Sequence, residues 1–284
     1  MTEPIPELDV LIPTHNRLDL TMRCINALYS NTAVPFHTIV LDDSTDGLTP
    51  LYFKELCTNG VNPLKQITNL TFIRSEVPFK SGNQFFNIGF RYMKSPYAAT
   101  VMNSIRVEPE WEIGALNTMK ENPDVGIIGF KCLLPDGTIE SAGIRMMKYL
   151  PADLGRGLPG HRISGIYVPD AVQWAFCLLR KSAVVGNLTE DVFHGFKGWD
   201  DIDNCLVVKS RGWRILYCGQ GVGYHEPRAT RGSNDEEAAR LNKENGEIFY
   251  KRWGFWETFL AEHPGYLEGK ETIHASPLGM NITQ

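Results

Sequence analysis

Nowhere in the 284 residues is there a run of about eighteen apolar residues, so no stretch reads as a membrane-spanning helix. Positive charge is scarce as well. The 28 Lys and Arg stand against 33 Asp and Glu, for a formal net charge of -5. A nucleic-acid partner meets a basic face, so none is expected here. No CxxC pair or zinc-like spacing exists. Cys24, Cys57, Cys132, Cys177, Cys205 and Cys218 lie singly in or beside apolar stretches, which reads as buried free thiols in a reducing compartment. Internal repeats, low-complexity tracts and a phosphate-cradling GxxxxGK loop are absent. The N-terminal MTEPIPELD is acidic and carries prolines, unlike a secretory signal. Together these absences lead to the expectation of a soluble, cytoplasmic protein.

What is present is a regular alternation of strand-like and helix-like segments, 43% hydrophobic overall and long enough for one large α/β domain. Leu8 to Ile12 reads as a short buried strand, and Leu18, Met22, Ile25 and Tyr29 follow at helical spacing. Thr38 to Leu41 is a second strand, running into Asp42, Asp43, Ser44 and Asp46. That order begins a βαβ pattern, and in open parallel sheets ligands bind beyond the carboxyl ends of the strands. Leu70 to Arg74 predicts a third strand. Phe86, Phe90 and Met93 then mark the buried stripe of a helix whose Ser81, Gly82, Asn83 and Asn87 face the opening.

Further along, Tyr97 to Met102 and Val125 to Phe130 read as strands, with a helix from Trp111 to Asn122 between them. Leu133 to Gly143 holds an Asp-Gly turn between apolar runs, which predicts a hairpin. Residues Met146 to Gly165, rich in Gly, Pro and Arg and without periodicity, read as a loop. Val172 to Val184 holds another buried strand leading to Arg180, and Glu236 to Trp256 another helix.

The densest chemistry lies in GWDDID, Gly198 to Asp203. Asp200, Asp201 and Asp203 precede an apolar helical run that closes at Arg211-Gly212. The free N–H groups and positive dipole of a helix start favour carboxylates, so capping accounts for one or two of them. Three crowded beside Trp199 also suit a cleft in which one carboxylate acts as a base.

Taken in order, PTHNR (Pro13 to Arg17) after strand one, LDDSTDG (Leu41 to Gly47) after strand two, PDGTIESAG (Pro135 to Gly143) and GWDDID resemble the family 2 glycosyltransferases. Each motif is weak alone; their order carries the resemblance, which spans about Leu8 to Gly254. The Leu133 to Gly143 segment resembles the rhamnosyltransferase-like branch. The resemblance implies the GT-A fold, a Rossmann-like α/β architecture with a mixed central sheet flanked by helices. It places a single domain over 1–260, with a nucleotide-binding half (1–110), an acceptor half (111–260) and a polar tail (261–284). That tail could extend over the surface or serve a dimer contact, so a homo-oligomer stays open.

The activity implied is transfer of a sugar, of the inverting hexosyltransferase type, from a nucleotide-diphosphate sugar to a hydroxyl acceptor such as a glycan. Asp43 would hold the base and ribose, with Pro13, Thr14 and Arg17 lining that pocket. A carboxylate is chemically apt there, because it accepts hydrogen bonds from base N–H groups and ribose hydroxyls. Ser81 and Asn87 would also meet the donor, while Phe86 stands where the family often has a basic residue. Asp201 would be the general base, with Asp200 beside it; Asp200, Trp174 and Trp199 would meet the acceptor. Trp174 stands where a small glycine-containing turn is usual, and Asp203 would grip a basic residue or cap the helix.

The fourth strand should end in the family's DxD motif, and here it ends in Asn103-Ser104-Ile105 followed by Arg106. A DxD motif gives Mn or Mg carboxylate oxygens, and the cation neutralises the leaving diphosphate. Three readings follow. Asn103 and His225 hold a metal weakly; or Arg106, Arg228 and Arg231 stabilise the diphosphate without one; or turnover is lost, leaving a sugar-nucleotide or glycan binding protein. An unrelated nucleotide-binding α/β enzyme such as a nucleotidyltransferase is the remaining alternative.

Overall fold

The structure is a computed structural model describing residues 6–59, 69–147, 150–195, 198–227, 235–265, 267, 272–276 and 279–283. In chain order its first half holds β1 (Leu8–Thr14), α1 (Leu18–Asn31), β2 (Phe36–Asp42), α2 (Leu48–Asn59), β3 (Leu70–Arg74), α3 (Gly82–Phe90) and β4 (Tyr97–Val101). Next come β5 (Ile105–Val107), α4 (Ile113–Glu121), β6 (Val125–Leu133), β7 (Ile139–Ser141), β8 (Ile144–Met147), β9 (Leu150–Asp153), β10 (Ile166–Tyr167) and β11 (Phe176–Arg180). The chain closes with α5 (Lys181–Val184), α6 (Asp200–Ser210), β12 (Arg214–His225), α7 (Asp235–Arg252), α8 (Trp256–Glu262), β13 (Thr272–Ser276) and β14 (Gly279–Thr283).

Ten strands form one mixed sheet with the spine β10-β12-β6-β11-β4-β1-β2-β3; β5 pairs with β12 and β7 with β6. Strands β4, β1, β2 and β3 are parallel, whereas β11 runs antiparallel to both β4 and β6. The sequence explains why a strand here is apolar almost without interruption: both faces are covered. Along β1, Val10 and Ile12 join the core under α1 and α4, while Leu11 joins the core under α3 and α6. The same two-residue alternation sends Val40 to one side of β2 and Ile39 and Leu41 to the other. Phe85, wholly buried in the second of these cores, illustrates the scale: truncating such a ring to alanine costs about 3–5 kcal/mol.

The strands and helices expected from periodicity form where they were expected, with ends moved by a few residues. Two expectations are corrected. Cys57 on α2 is exposed, whereas the other five thiols are buried as expected. Residues 146–165 are not all loop, because β8 and β9 pair antiparallel with Met147 opposite Leu150. This ribbon lies outside the main sheet; Ile144, Met146 and Leu150 turn to the core, but strands of four residues are too short for that alternation to stand out. The last segment also folds back, as β13 and β14 make a second separate ribbon lying against α7 and β9.

Candidate active site

The parallel register of β1 and β2 sets Thr14 opposite Asp42, so the turns after these two strands meet. Asp42 is fully buried and satisfied by the hydroxyls of Thr14 and Ser44 and by Arg74, 3.1 Å away. It serves the turn itself. Asp43, the next residue, is 2% exposed; its Oδ1 pairs with His15 Nδ1 at 2.8 Å and its Oδ2 accepts the Phe79 N–H at 2.9 Å. Asn16 ties the turns together, its backbone N–H donating to Ser44 Oγ and its Oδ1 accepting the N–H groups of Thr45 and Asp46. Asn16 and Arg17 both have positive φ, 56° and 54°. Such backbone is uncommon outside glycine and is held here by the surrounding bonds. Pro13 lies in the buried β1 strand, and the Arg17 guanidinium pairs with Asp19 on the exposed start of α1.

From Phe79 the chain turns into α3. Ser81 caps that helix, accepting the Gln84 N–H and donating to Glu190 O, while Asn87 donates to Leu188 O and Glu190 Oε1. Gly82 leaves room at the next position: a Cβ there would stand 2.6 Å from Asp200 Oδ2, and that carboxylate would have to shift. The α3 turn thus lies between two carboxylates, with Asp43 holding the Phe79 N–H and Gly82, three residues later, leaving room for Asp200. Asn204 of α6 adds a bond to Asn83 of α3 at 2.6 Å.

Helix α6 begins abruptly. Gly198 and Trp199 have φ of 82° and 77°, and positive φ on a tryptophan costs about 1–3 kcal/mol. The ring packs on Phe249 and Tyr250 at 5.1 and 5.3 Å and donates to Asn242 O, which anchors the turn. Trp199 is thereby 3% exposed, and Trp174 is fully buried against Phe86, 5.1 Å away. Neither indole presents an open face to a ligand in this structure. Asp203 grips a basic residue, its Oδ1 accepting from Trp253 at 2.7 Å and lying 2.8 Å from Arg252 Nε.

The Asp200 side chain lies in a buried position, and Asp201 is half-buried, its Oδ2 accepting the Trp174 N–H at 3.1 Å. Burial pushes the proton affinity of both up. For Asp201 the Asp200 charge adds to the rise and the Asp153 charge adds further, against the lowering effect of the Trp174 N–H. Asp153, at the end of β9, is pushed up to about 7 by burial and also by Glu140, with Ser141, Arg156 and Gln173 acting in the opposite sense.

At the position of the DxD motif, Asn103 is 3% exposed and its Nδ2 donates to Thr21 Oγ1 of α1. Ile105 is buried core, directly opposite His225 in the β5–β12 register. His225 Nδ1 pairs with Glu140 Oε2 at 2.6 Å. Among the described residues no three His, Cys, Asp or Glu side chains gather as a metal would need. One tethered amide and one engaged imidazole do not fit the carboxylate-oxygen site of a hard divalent cation. Arg106 is exposed and lies over the Tyr224 ring at 5.5 Å, beside an open depression lined by Arg23, Asn26, Ala27, Ser30 and Glu226. Arg228 and Arg231 lie outside the described residues.

Reading the sequence missed four members of this constellation: His15, Phe79, Asp153 and Gln173. His15 was in plain view inside PTHNR, and only the strand register puts it on Asp43. Asp153 carried no sequence signal, because its ribbon reads as loop.

Comparison with known proteins places this architecture. No family model matches the chain. It is 25% identical over 97% of its length to an uncharacterized protein, y4gI, of Sinorhizobium fredii, and 25% identical over 80% of its length to the O-antigen biosynthesis protein RfbC of Myxococcus xanthus. The matches span only 31% and 18% of those proteins. Among solved structures, it resembles residues 1–349 of S. aureus TarS, with a TM-score of 0.55 at 16% identity, over 92% of this chain and 74% of that one. It also resembles GalNAc-T7 solved with UDP, GalNAc and Mn2+, with a TM-score of 0.61 at 14% identity over 87% and 50%. A third is the mannosyltransferase PcManGT of Pyrobaculum calidifontis with GDP-Man and Mn2+, with a TM-score of 0.56 at 13% identity over 93% and 76%. These neighbours are GT-A glycosyltransferases, and the chain has the GT-A fold that its motifs implied. Among the described residues no helix is long and apolar enough to cross a membrane.

Proposed function

We propose that this chain is an inverting glycosyltransferase that moves a hexose from a nucleotide-diphosphate sugar to a hydroxyl of a glycan acceptor. The supporting observation is the placing of Asp201: half-buried at the start of α6, oriented by the Trp174 N–H, and next to Asp200, whose carboxylate fills the space left by Gly82 in the segment that Asp43 holds at Phe79. Asp43, with the Pro13 to Arg17 turn, binds the base and ribose. Asp201 takes the acceptor hydroxyl proton as that oxygen bonds to the anomeric carbon. The bond from that carbon to the diphosphate breaks on the opposite face, and its electron pair leaves with the nucleoside diphosphate. Configuration therefore inverts. A base with raised proton affinity is matched to work near neutral pH.

Solved neighbours carry Mn2+, but the donor set here does not suit that ion, and no step is assigned to a metal. Arg106, with Arg228 and Arg231, supplies positive charge to the departing diphosphate. UDP-GlcNAc, present in a TarS complex, and GDP-Man, present with PcManGT, are the first donors to try. Calorimetric titration with UDP, GDP and dTDP, with manganese and again with EDTA, tests the reading. Equal binding of one diphosphate in both conditions is expected. Binding only with manganese would overturn the arginine assignment, and no binding at all would overturn the donor site.

A further inference from the structure

Asp153 is a buried carboxylate that the mechanism above leaves unused. Its side chain is 8% exposed. Oδ1 accepts the Gln173 side-chain amide at 3.1 Å, and Oδ2 lies 3.8 Å from the Arg156 guanidinium. Gln173 immediately precedes Trp174, whose backbone N–H donates to Asp201. The Arg156 guanidinium is itself committed only loosely. Its Nη1 donates to Glu140 O at 3.2 Å, while its buried Nε has no hydrogen-bond partner.

We propose that Asp153 is a positioning residue for Asp201, acting through the Gln173–Trp174 segment and through its own negative charge. This rests on the glycosyltransferase reading for its purpose, although not for its test. Gln173 can be held by Asp153 only while its amide nitrogen points at the β8–β9 ribbon. Holding Gln173 in this way restrains the residue that leads into Trp174, and so the N–H that orients the candidate base. The ribbon that flanks the acceptor half thereby sets the geometry of the group that would deprotonate the acceptor. The groups facing Asp201 are Asp200 on its own helix, Asp153 on β9, and the thiols of Cys132, Cys177 and Cys205, whose proton affinities rise from burial first and from the Asp201 charge in addition. Facing Asp153 are Glu140, Ser141, Arg156 and Gln173. Arg156 is the one cation in this set, so removing one carboxylate charge should be felt by the other across the low-dielectric interior.

The test is a carboxyl 13C NMR titration of the Asp200/Asp201 pair in the whole chain and in two variants. Asp153→Asn keeps an acceptor for Gln173 and removes the charge; Asp153→Ala removes both. Both variants should lower the apparent midpoints of the pair by at least about half a pH unit. Above the midpoints, where the pair is ionised in every form, only Asp153→Ala should also shift the Trp174 backbone amide resonance. Unmoved midpoints in Asp153→Asn, with a native-like amide spectrum, would overturn the charge coupling. An unmoved Trp174 amide in Asp153→Ala would overturn the relay. Turnover of UDP-GlcNAc and GDP-Man is measured in parallel. A moved midpoint without turnover in the parent chain would count against the glycosyltransferase reading alone, whereas turnover with unmoved midpoints would count against this inference alone.

Discussion

The carboxylates at the ends of β1 and β2 and those around the start of α6 have opposite surroundings. Asp42 and Asp43 are buried, but each meets several donors: hydroxyls and a guanidinium for the first, an imidazole and a backbone N–H for the second. Asp153, Asp200 and Asp201 are crowded by one another, and a single backbone N–H is the partner described for Asp201 from outside its own helix. The first arrangement is a rigid frame suited to hold a ligand. The second stores proton affinity, which suits proton transfer.

The largest expected effect separates these two regions by function. Asp201→Asn should lower kcat by about 10²–10⁴ while leaving nucleotide-diphosphate affinity nearly unchanged. Kinetics and calorimetry on the same variant check this; an equal loss of binding would merge the two regions into one. In the same assays the acid limb of kcat/KM should lie above the ordinary carboxylate range, because the base must be deprotonated and its affinity is raised. That limb should move to lower pH in Asp200→Asn.

Next in size is the pH dependence of stability. Asp153 binds its proton more tightly folded than unfolded, with a value of about 7 against the ordinary 3.8. Its contribution is therefore complete below about pH 4 and is lost as pH rises to about 7. Three units correspond to at most about 4 kcal/mol. Urea denaturation should accordingly show Asp153→Asn gaining on the parent chain between pH 5 and pH 8, by about 1–3 kcal/mol.

On the frame side, Asp43→Ala should cost about 1–3 kcal/mol, since the Phe79 N–H is left without its partner, and should abolish nucleotide binding. Thermal denaturation and calorimetry read the two effects separately. At the small end, Arg17→Ala removes an exposed pair with Asp19 and should change stability by less than about 0.5 kcal/mol.

Much of this contrast was legible in the sequence. Apolar runs at strand and helix spacing gave the order of elements, and the acids at the end of β2 and the start of α6 stood out by density. Two departures from the family pattern, Phe86 and Trp174, looked independent in the sequence and proved to be one contact, ring against ring in the core. The β8–β9 ribbon escaped notice because its strands are only four residues long, and Asp153 escaped with it. Trp174 stood among apolar neighbours and Trp199 beside acids, and only packing showed both rings turned inward.

By itself, then, the sequence determined the succession of buried strands and covering helices, and the positions at which carboxylates end a strand or begin a helix. These follow from local periodicity and composition, which neighbouring residues decide among themselves. Tertiary structure alone decided which partners each carboxylate meets. His15 reaches Asp43 through the pairing of two parallel strands, Gly82 admits Asp200 through the approach of two helices, and Gln173 joins Asp153 to the turn that holds Asp201. Proton affinity depends on burial and on charges brought close from distant parts of the chain, and neither is fixed until the sheet and its helices have closed.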